Sequence, residues 1–469
     1  MKTKIWRPCS LPRFCEFITF CALCVAIGMS PRGLAAEDPS QVEIGLAVRD
    51  ITPQDPIWLA GYAARTNASI RADTRLYLQA CAMRSGEERV VLVSLDNCEV
   101  DRDFTAPVLE ELGARHKLKP GAVIVVSSHT HSAPVLEGPL SPMYPLDSEQ
   151  LRKIREYGST VRKALAETVD EALANLQPAR LEYGVGRANI GINRREFRGN
   201  QVVIGHNPDG PVDGEVPVLK IQGANGVIRA VLFGYACHLT SLAGGNDFYV
   251  ISGDFVAYAR QHLEACYPGI LPIFMQGMGA DQNPSPRGSL LDSRRHGLQL
   301  AGAIAGVLNR PMRPIEGALR FSYARTDLPL MPPPSPAKLE EDAQANDRYI
   351  QSRARAYLEM TKRGKPLPTA VSLPMACVSL GDDLTFLFMG GEVVVDYALR
   401  LKRMFAARNP WTIGYAYEIP CYIPSQRILK EGGYEADGSL VYYGVYGPFD
   451  PAVENRVIDT MTALVKAHP

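Results

Sequence analysis

The chain is 469 residues long, carries 50 basic and 50 acidic side chains, and is 46% hydrophobic. No block of like charge stands out, so the sequence carries no electrostatic footprint for nucleic acid, and nothing in it points to an anionic membrane surface. There is no internal repeat and no Ser/Gly-rich linker, which favours one large domain over the two or three that the length alone would suggest.

At the N-terminus, Lys2, Lys4, Arg7 and Arg13 precede an apolar stretch from Phe14 to Met29 and the small-residue exit Gly33-Leu34-Ala35. This is the pattern of a secretory signal peptide over residues 1–36. The rival reading is a membrane anchor, but the stretch is shorter than the roughly 20 residues a spanning helix needs, and it contains Glu16. Cleavage removes five basic residues against one acidic and leaves residues 37–469 as an exported chain of slight negative charge, periplasmic or extracellular, with no transmembrane span.

Further on, short β-branched or apolar runs alternate with amphipathic helices, which predicts an α/β fold of mixed sheets flanked by helices. Strands are expected at Val90 to Ser94, Val123 to Ser127, Ile228 to Ala236, Leu271 to Gln276 and Leu384 to Met389. Leu151, Ile154, Val161, Leu165, Val169 and Leu173 mark one helical face, and Val453, Val457, Met461 and Leu464 mark a last helix. Residues 328–367 break the pattern. There Pro332-Pro333-Pro334 leads into a charged helical stretch, Ala337 to Met360, with too few apolar positions for a core helix, and a surface excursion is expected.

Six cysteines follow the leader: Cys81, Cys98, Cys237, Cys266, Cys377 and Cys421. None forms a CxxC pair, and most sit in apolar surroundings. Buried thiols fit better than a zinc–thiolate site, with one or two disulfides left open.

Metal-binding or polar groups stand just past the C-terminal ends of four expected strands. These are His129-Thr130-His131, His238, the run Gly277 to Pro284, and Gly390-Gly391-Glu392, where a helix is expected to begin. In open α/β sheets the crevice outside the strands' carboxyl ends is the usual ligand site. A His-x-His on a strand would put both imidazoles on one face. Singly, each signal has an ordinary reading: His238 as a core histidine, Glu392 as a complement to a helix N-terminus. Jointly, histidines and a carboxylate match the N/O ligand set of catalytic zinc, with iron or manganese open on ligand type.

The ordered motifs resemble the catalytic domain of the neutral/alkaline ceramidase family over most of the expected mature chain. They run from Gly45-Leu46-Ala47-Val48-Arg49-Asp50-Ile51-Thr52-Pro53 and Ala60-Gly61-Tyr62-Ala63 through Ser128-His129-Thr130-His131-Ser132-Ala133-Pro134 and Asn193-Arg194. Then come His238, Ile251-Ser252-Gly253-Asp254, Gly391-Glu392, and the pair Tyr422 and Tyr434. The resemblance implies zinc held by His129, His238, Glu392 and Tyr422, His131 as proton shuttle, and Tyr434 and Arg194 steadying the substrate. It implies amide hydrolysis of an N-acyl lipid by zinc-activated water. Where the family has Gly-Asp-x-Ser-Pro-Asn, this chain has Ala280-Asp281-Gln282-Asn283-Pro284-Ser285. Asn283 therefore replaces a serine, cannot be a nucleophile, and is expected to donate or position a water. The sequence stops soon after Leu464, so no counterpart of the family's C-terminal immunoglobulin-like domain is expected. Two alternatives stay beside this reading: a metallohydrolase of a non-lipid amide or ester, and a non-catalytic binding protein with a similar pocket.

Overall fold

The strand Glu88–Leu95 reads ERVVLVSL, and its two sets of alternating side chains enter different cores. Val91 and Val93 join one cluster, while Val90 and Leu92 join another. A strand buried on both faces must lie inside a layered structure. The computed structural model describes residues 42–138 and 140–468, and the expected signal peptide lies outside them. The described residues fall in one compact unit.

The larger of two central sheets runs, in spatial order, Leu271–Gln276, Ile228–Tyr235, Glu215–Gly223, Gln177–Arg187, Glu43–Asp50, Tyr77–Ser85, Glu88–Leu95, Val123–Ser127, with Arg313–Ile315 beside Gln177–Arg187. The smaller runs Leu319–Pro329, Ala370–Leu380, Leu384–Met389, Pro410–Ile413. Ile124, Val126, Leu232 and Ile273 of the first sheet pack on Val378, Phe386, Phe388 and Trp411 of the second. On the far face of the large sheet lie the helices Ser148–Ala174, through Ile154, Val161, Leu165 and Val169, and Asp254–Cys266 with Leu290–Leu308. Val395–Met404 and Val453–Lys466 cover the far face of the small sheet. The result is four layers, helix–sheet–sheet–helix, as the mixed α/β expectation required. Glu43–Asp50 can lie directly on the long helix because residue 45 is glycine: a Cβ there would meet the Ala172 carbonyl oxygen at 1.8 Å.

All five expected strands and both expected helices form, three of the strands with the expected ends. The charged segment departs from expectation. Leu328 and Pro329 still belong to a sheet strand, and the single helix expected from Ala337 to Met360 is two, Pro336–Asp342 and Arg348–Lys362. Asp347 stops the continuation because its carboxylate caps the second helix, accepting from the backbone N–H of Tyr349 and Ile350. All six cysteines are free thiols, Cys266 exposed and the others buried. Among the described residues no helix is long and apolar enough to cross a membrane.

The large sheet coils until its two terminal strands, Val123–Ser127 and Leu271–Gln276, come into contact. Gln79 reaches from the middle of the sheet to the Pro272 carbonyl at 3.0 Å. This coiling brings the ends of strands distant in sheet order to one place. Beneath that place, buried Arg260 of the helix Asp254–Cys266 donates to buried Asp96 at 2.6 Å, and Asp96 also accepts from Tyr77 N at 2.9 Å. Arg260→Met should destabilise the fold by about 3–5 kcal/mol, the usual cost of stranding one partner of a buried ion pair. Equilibrium denaturation checks this, and a loss below about 1 kcal/mol would show that Asp96 does not need its partner.

Candidate metal centre and active site

The loops leaving these strand ends are knitted by backbone hydrogen bonds. His129 N donates to Asn97 O at 2.9 Å and His131 N to Leu239 O at 3.2 Å; His238 N donates to Gln282 O at 3.0 Å, and Ala280 N to Val393 O at 3.1 Å. Glu392 N donates to Cys421 O at 3.0 Å, Tyr415 N to Gly391 O at 3.1 Å, and Arg194 N to Asp281 O at 2.8 Å. Each functional side chain is thus hung on a frame that its neighbours hold.

The structure brings together all eight residues singled out from the sequence. His129 Nε2 lies 3.1 Å and His238 Nε2 3.2 Å from Glu392 Oε2. Tyr422 Oη is 3.3 Å from His238 Nε2, and His131 Nε2 is 3.1 Å from His129 Nε2. Arg194 donates to Tyr422 Oη at 2.9 Å and lies 3.4 Å from Asn283 Oδ1; its guanidinium sits 5.6 Å from the Tyr434 ring centre. His129, His238, Glu392, Tyr422, Arg194 and Asn283 are buried, whereas His131 and Tyr434 are half-buried, so access runs past these two.

Two local expectations are corrected. His129 and His131 are not on a strand: the strand ends at Ser127, and His129 has φ +62° in a loop. That left-handed turn, not strand alternation, brings the two rings within 4.7 Å. Glu392 does not start a helix either. It belongs to the two-residue strand Glu392–Val393 paired with Tyr422–Ile423, and the helix begins at Val395. Asp281 takes the helix N-terminus instead, accepting from Val395 N at 2.8 Å. Burial raises the Asp281 carboxyl to about 6.

The donor set fits a metal ion. His129 Nδ1 donates to Cys98 O at 2.8 Å, and His238 Nδ1 faces the Gly279 and Gln282 carbonyls at 3.3 and 3.2 Å. Those bonds assign the ring proton to Nδ1 and leave each Nε2 lone pair aimed at Glu392. Burial, then Arg194, lowers His238 to about 3, so it is neutral and gives Glu392 no positive partner. Arg194 Nη1 already faces His238 Nε2 at 3.2 Å; a cation between the two Nε2 atoms and Glu392 Oε2 would answer all three. Ligand atoms around a tetrahedral ion with bonds of about 2.0–2.1 Å stand about 3.3–3.4 Å apart, close to what is found here. A second grouping, Cys98 with His129 and His131, is the poorer candidate. Cys98 Sγ lies 3.9 Å from His129 Nδ1, the nitrogen whose proton goes to Cys98 O, so that side of the ring offers no lone pair.

Several site residues escaped the sequence reading. Tyr443 donates to Glu392 Oε1 at 2.6 Å, and Tyr415 lies 3.4 Å from Oε2 with its ring 4.5 Å from that of His129. Buried Glu435 binds Arg194 Nε and Arg195 Nη1, each at 2.7 Å. Arg65 bonds the carbonyls of Ala60, His131 (2.7 Å) and Phe248, stapling three loops around His131. Gly61, at φ +90°, lies under the His131 ring, where a Cβ would meet Nδ1 at 2.3 Å. Two of these had a usable signal: Gly61 stands in the Ala60-Gly61-Tyr62-Ala63 motif, and Tyr415 follows another strand end, Pro410–Ile413.

The chain is similar to known proteins in sequence and in fold. Residues 42–270 match the family described as neutral/alkaline non-lysosomal ceramidase, N-terminal. The chain is 23% identical to neutral ceramidase of Pseudomonas aeruginosa, with 95% of this chain and 75% of that protein covered. It is 25% identical to neutral ceramidase B of Dictyostelium discoideum over 56% of this chain and 38% of that protein. The crystal structure of the Pseudomonas aeruginosa protein superposes with a TM-score of 0.66 at 20% identity, covering 92% of this chain and 75% of the other, which shows a shared fold. The family match over residues 42–270, the relatives and the shared fold together make this chain similar to the neutral/alkaline non-lysosomal ceramidase family.

Proposed function

We propose that the protein is an exported zinc-dependent hydrolase that cleaves the amide of an N-acyl lipid. One observation carries the chemistry: two imidazole Nε2 atoms and a carboxylate oxygen meet around one point, beside a half-buried imidazole free to move a proton. The substrate class is taken from the relatives, which are named neutral ceramidases. Export rests on the leader-like residues 1–36.

His129, His238 and Glu392 would hold the zinc, with Tyr422 as a fourth ligand. A zinc ion bound there supplies a water whose pKa falls to about 7 and polarises the scissile carbonyl. Burial raises the Tyr422 phenol well above its ordinary range; the Arg194 guanidinium on its oxygen works in the opposite direction. His131 is placed to take a proton at Nε2 and pass it to the leaving amine. Its burial, with His129 and His238 beside it, holds it well below the ordinary imidazole range and therefore neutral, as a proton acceptor must be. Tyr434 Oη makes no hydrogen bond to the described residues and is available to an oxyanion. Asn283 turns its carbonyl to Arg194, which leaves its NH2 free to donate.

Purified protein should carry about one zinc per chain. His129→Ala and His238→Ala should each lose it, and chelation should abolish hydrolysis until zinc is restored. Full metal in both variants by elemental analysis would remove the assignment. Assaying ceramide in detergent against short N-acyl amides separates the lipid reading from a non-lipid one.

His131→Ala should keep its zinc and lose about 100- to 10,000-fold in kcat, the range of a positioned acid–base group. Loss of metal in that variant would place His131 among the ligands.

Asn283→Ala should lose no more than about 100- to 1,000-fold, the scale of one oxyanion donor, and Asn283→Ser should stay active. Rapid-quench kinetics should show no acyl burst. Ser285 is the nearest hydroxyl, between Pro284 and Pro286 with its N–H on Ile190 O at 2.9 Å. A stoichiometric burst abolished by Ser285→Ala would overturn attack by water.

A further inference from the structure

The charged segment after the proline run has no part in the chemistry described so far, yet its two helices rest on a loop that does. Tyr349 stacks edge-on against Tyr442 at 4.8 Å between ring centres. Arg353 lies 3.8 Å over the Tyr446 ring and donates to the Val445 carbonyl at 2.9 Å. Tyr357 accepts from Tyr446 N at 3.3 Å, and Tyr446 donates to Asp342 at 3.0 Å. These anchors take hold at Tyr442, Val445 or Tyr446, while Arg348 ties the second helix to the Met143 carbonyl at 2.8 Å. Between those anchors stands Tyr443, whose hydroxyl donates to Glu392 Oε1 at 2.6 Å and lies 3.3 Å from Glu99 Oε2. The other oxygen of Glu392 is the one facing His129 and His238.

We infer that Tyr443 is a positioning residue for the Glu392 carboxylate, and that the helices Pro336–Asp342 and Arg348–Lys362 are a brace that holds Tyr443 against it. A free carboxylate rotates about its last carbon–carbon bond and can offer a cation either oxygen or both. A short bond from a phenol to one oxygen fixes the plane and leaves the other oxygen for the metal. Tyr443 can do this only while its loop stays in place, and that loop is neither helix nor strand but a run of turns, closed by Tyr442 N on Ser439 O at 3.0 Å and Tyr443 N on Leu440 O at 3.2 Å. The brace supplies that order from outside the site. The inference rests on Glu392 being a metal ligand, as proposed above.

The test is zinc affinity of the purified full chain, read by competition with a chromophoric chelator, together with thermal unfolding of the metal-free protein. Tyr443→Phe keeps the ring and removes only the hydroxyl, so it should weaken zinc binding about 10- to 100-fold, the usual effect of removing a ligand's hydrogen-bond partner, without lowering the metal-free Tm. Arg353→Met releases the loop at one anchor and should weaken zinc in the same direction. Combined with Tyr443→Phe it should weaken zinc no further, because both act through one hydrogen bond. Unchanged affinity in Tyr443→Phe would overturn the positioning role, and independent, additive losses would overturn the brace. If the unaltered chain bound no zinc, the proposed metal site itself would fall; if it bound zinc and Tyr443→Phe bound it equally well, only this inference would.

Discussion

The carboxylate of Glu392 is buried with one oxygen between two imidazole nitrogens whose protons point away, and much of the surrounding structure answers to that arrangement. The hydrogen bonds that turn each histidine's Nδ1 outward go to backbone carbonyls of neighbouring strand-end loops, so the tautomers depend on the fold. Those loops meet because the large sheet coils until its terminal strands touch. Loosening the sheet, the loops or the tautomers would each unmake the same site.

Arg194 is the second electrostatic fixture. A guanidinium this close to a group that could hold a cation would oppose that charge, and here Glu435 compensates, binding both Arg194 and Arg195 at 2.7 Å. The same turn, Tyr434–Gly438, carries Tyr434 to the mouth of the site. Arg194 Nη2 donates to Tyr422 Oη at 2.9 Å, and Nη1 faces His238 Nε2 at 3.2 Å and Asn283 Oδ1 at 3.4 Å, so both arms of the fork turn into the site. Asn283 fits this: it brings no nucleophile, and its carbonyl faces Arg194 Nη1 at 3.4 Å.

What could be read in advance, and what could not, follows the range of the interactions. Strands such as Val123–Ser127 and Leu271–Gln276 were legible because continuous apolar runs between turn residues mark buried strands, and the helix Ser148–Ala174 because its apolar face repeats at the helical period. Strand ends then pointed to His129, His131, His238 and Glu392. Tyr422, Tyr434 and Arg194 had no such signal and were expected only through family likeness. Tyr443, Glu435 and Arg65 were not seen at all, since a tyrosine or arginine in a loop reads as surface until its partner, up to hundreds of residues away, is known. Position 339 shows the same limit: a sparse apolar pattern suggested a surface helix, but Leu339 is buried.

By itself the sequence determined the local periods, the order of strands and helices, and the residue types available at strand ends, because each depends on neighbours a few residues apart. Tertiary structure decided which of those ends meet, which ring nitrogen of each histidine keeps its lone pair, and which tyrosine supports Glu392. These choices depend on burial and on contacts such as Arg194 with Glu435 or Tyr443 with Glu392, whose partners are far apart along the chain and adjacent only once the sheet has coiled.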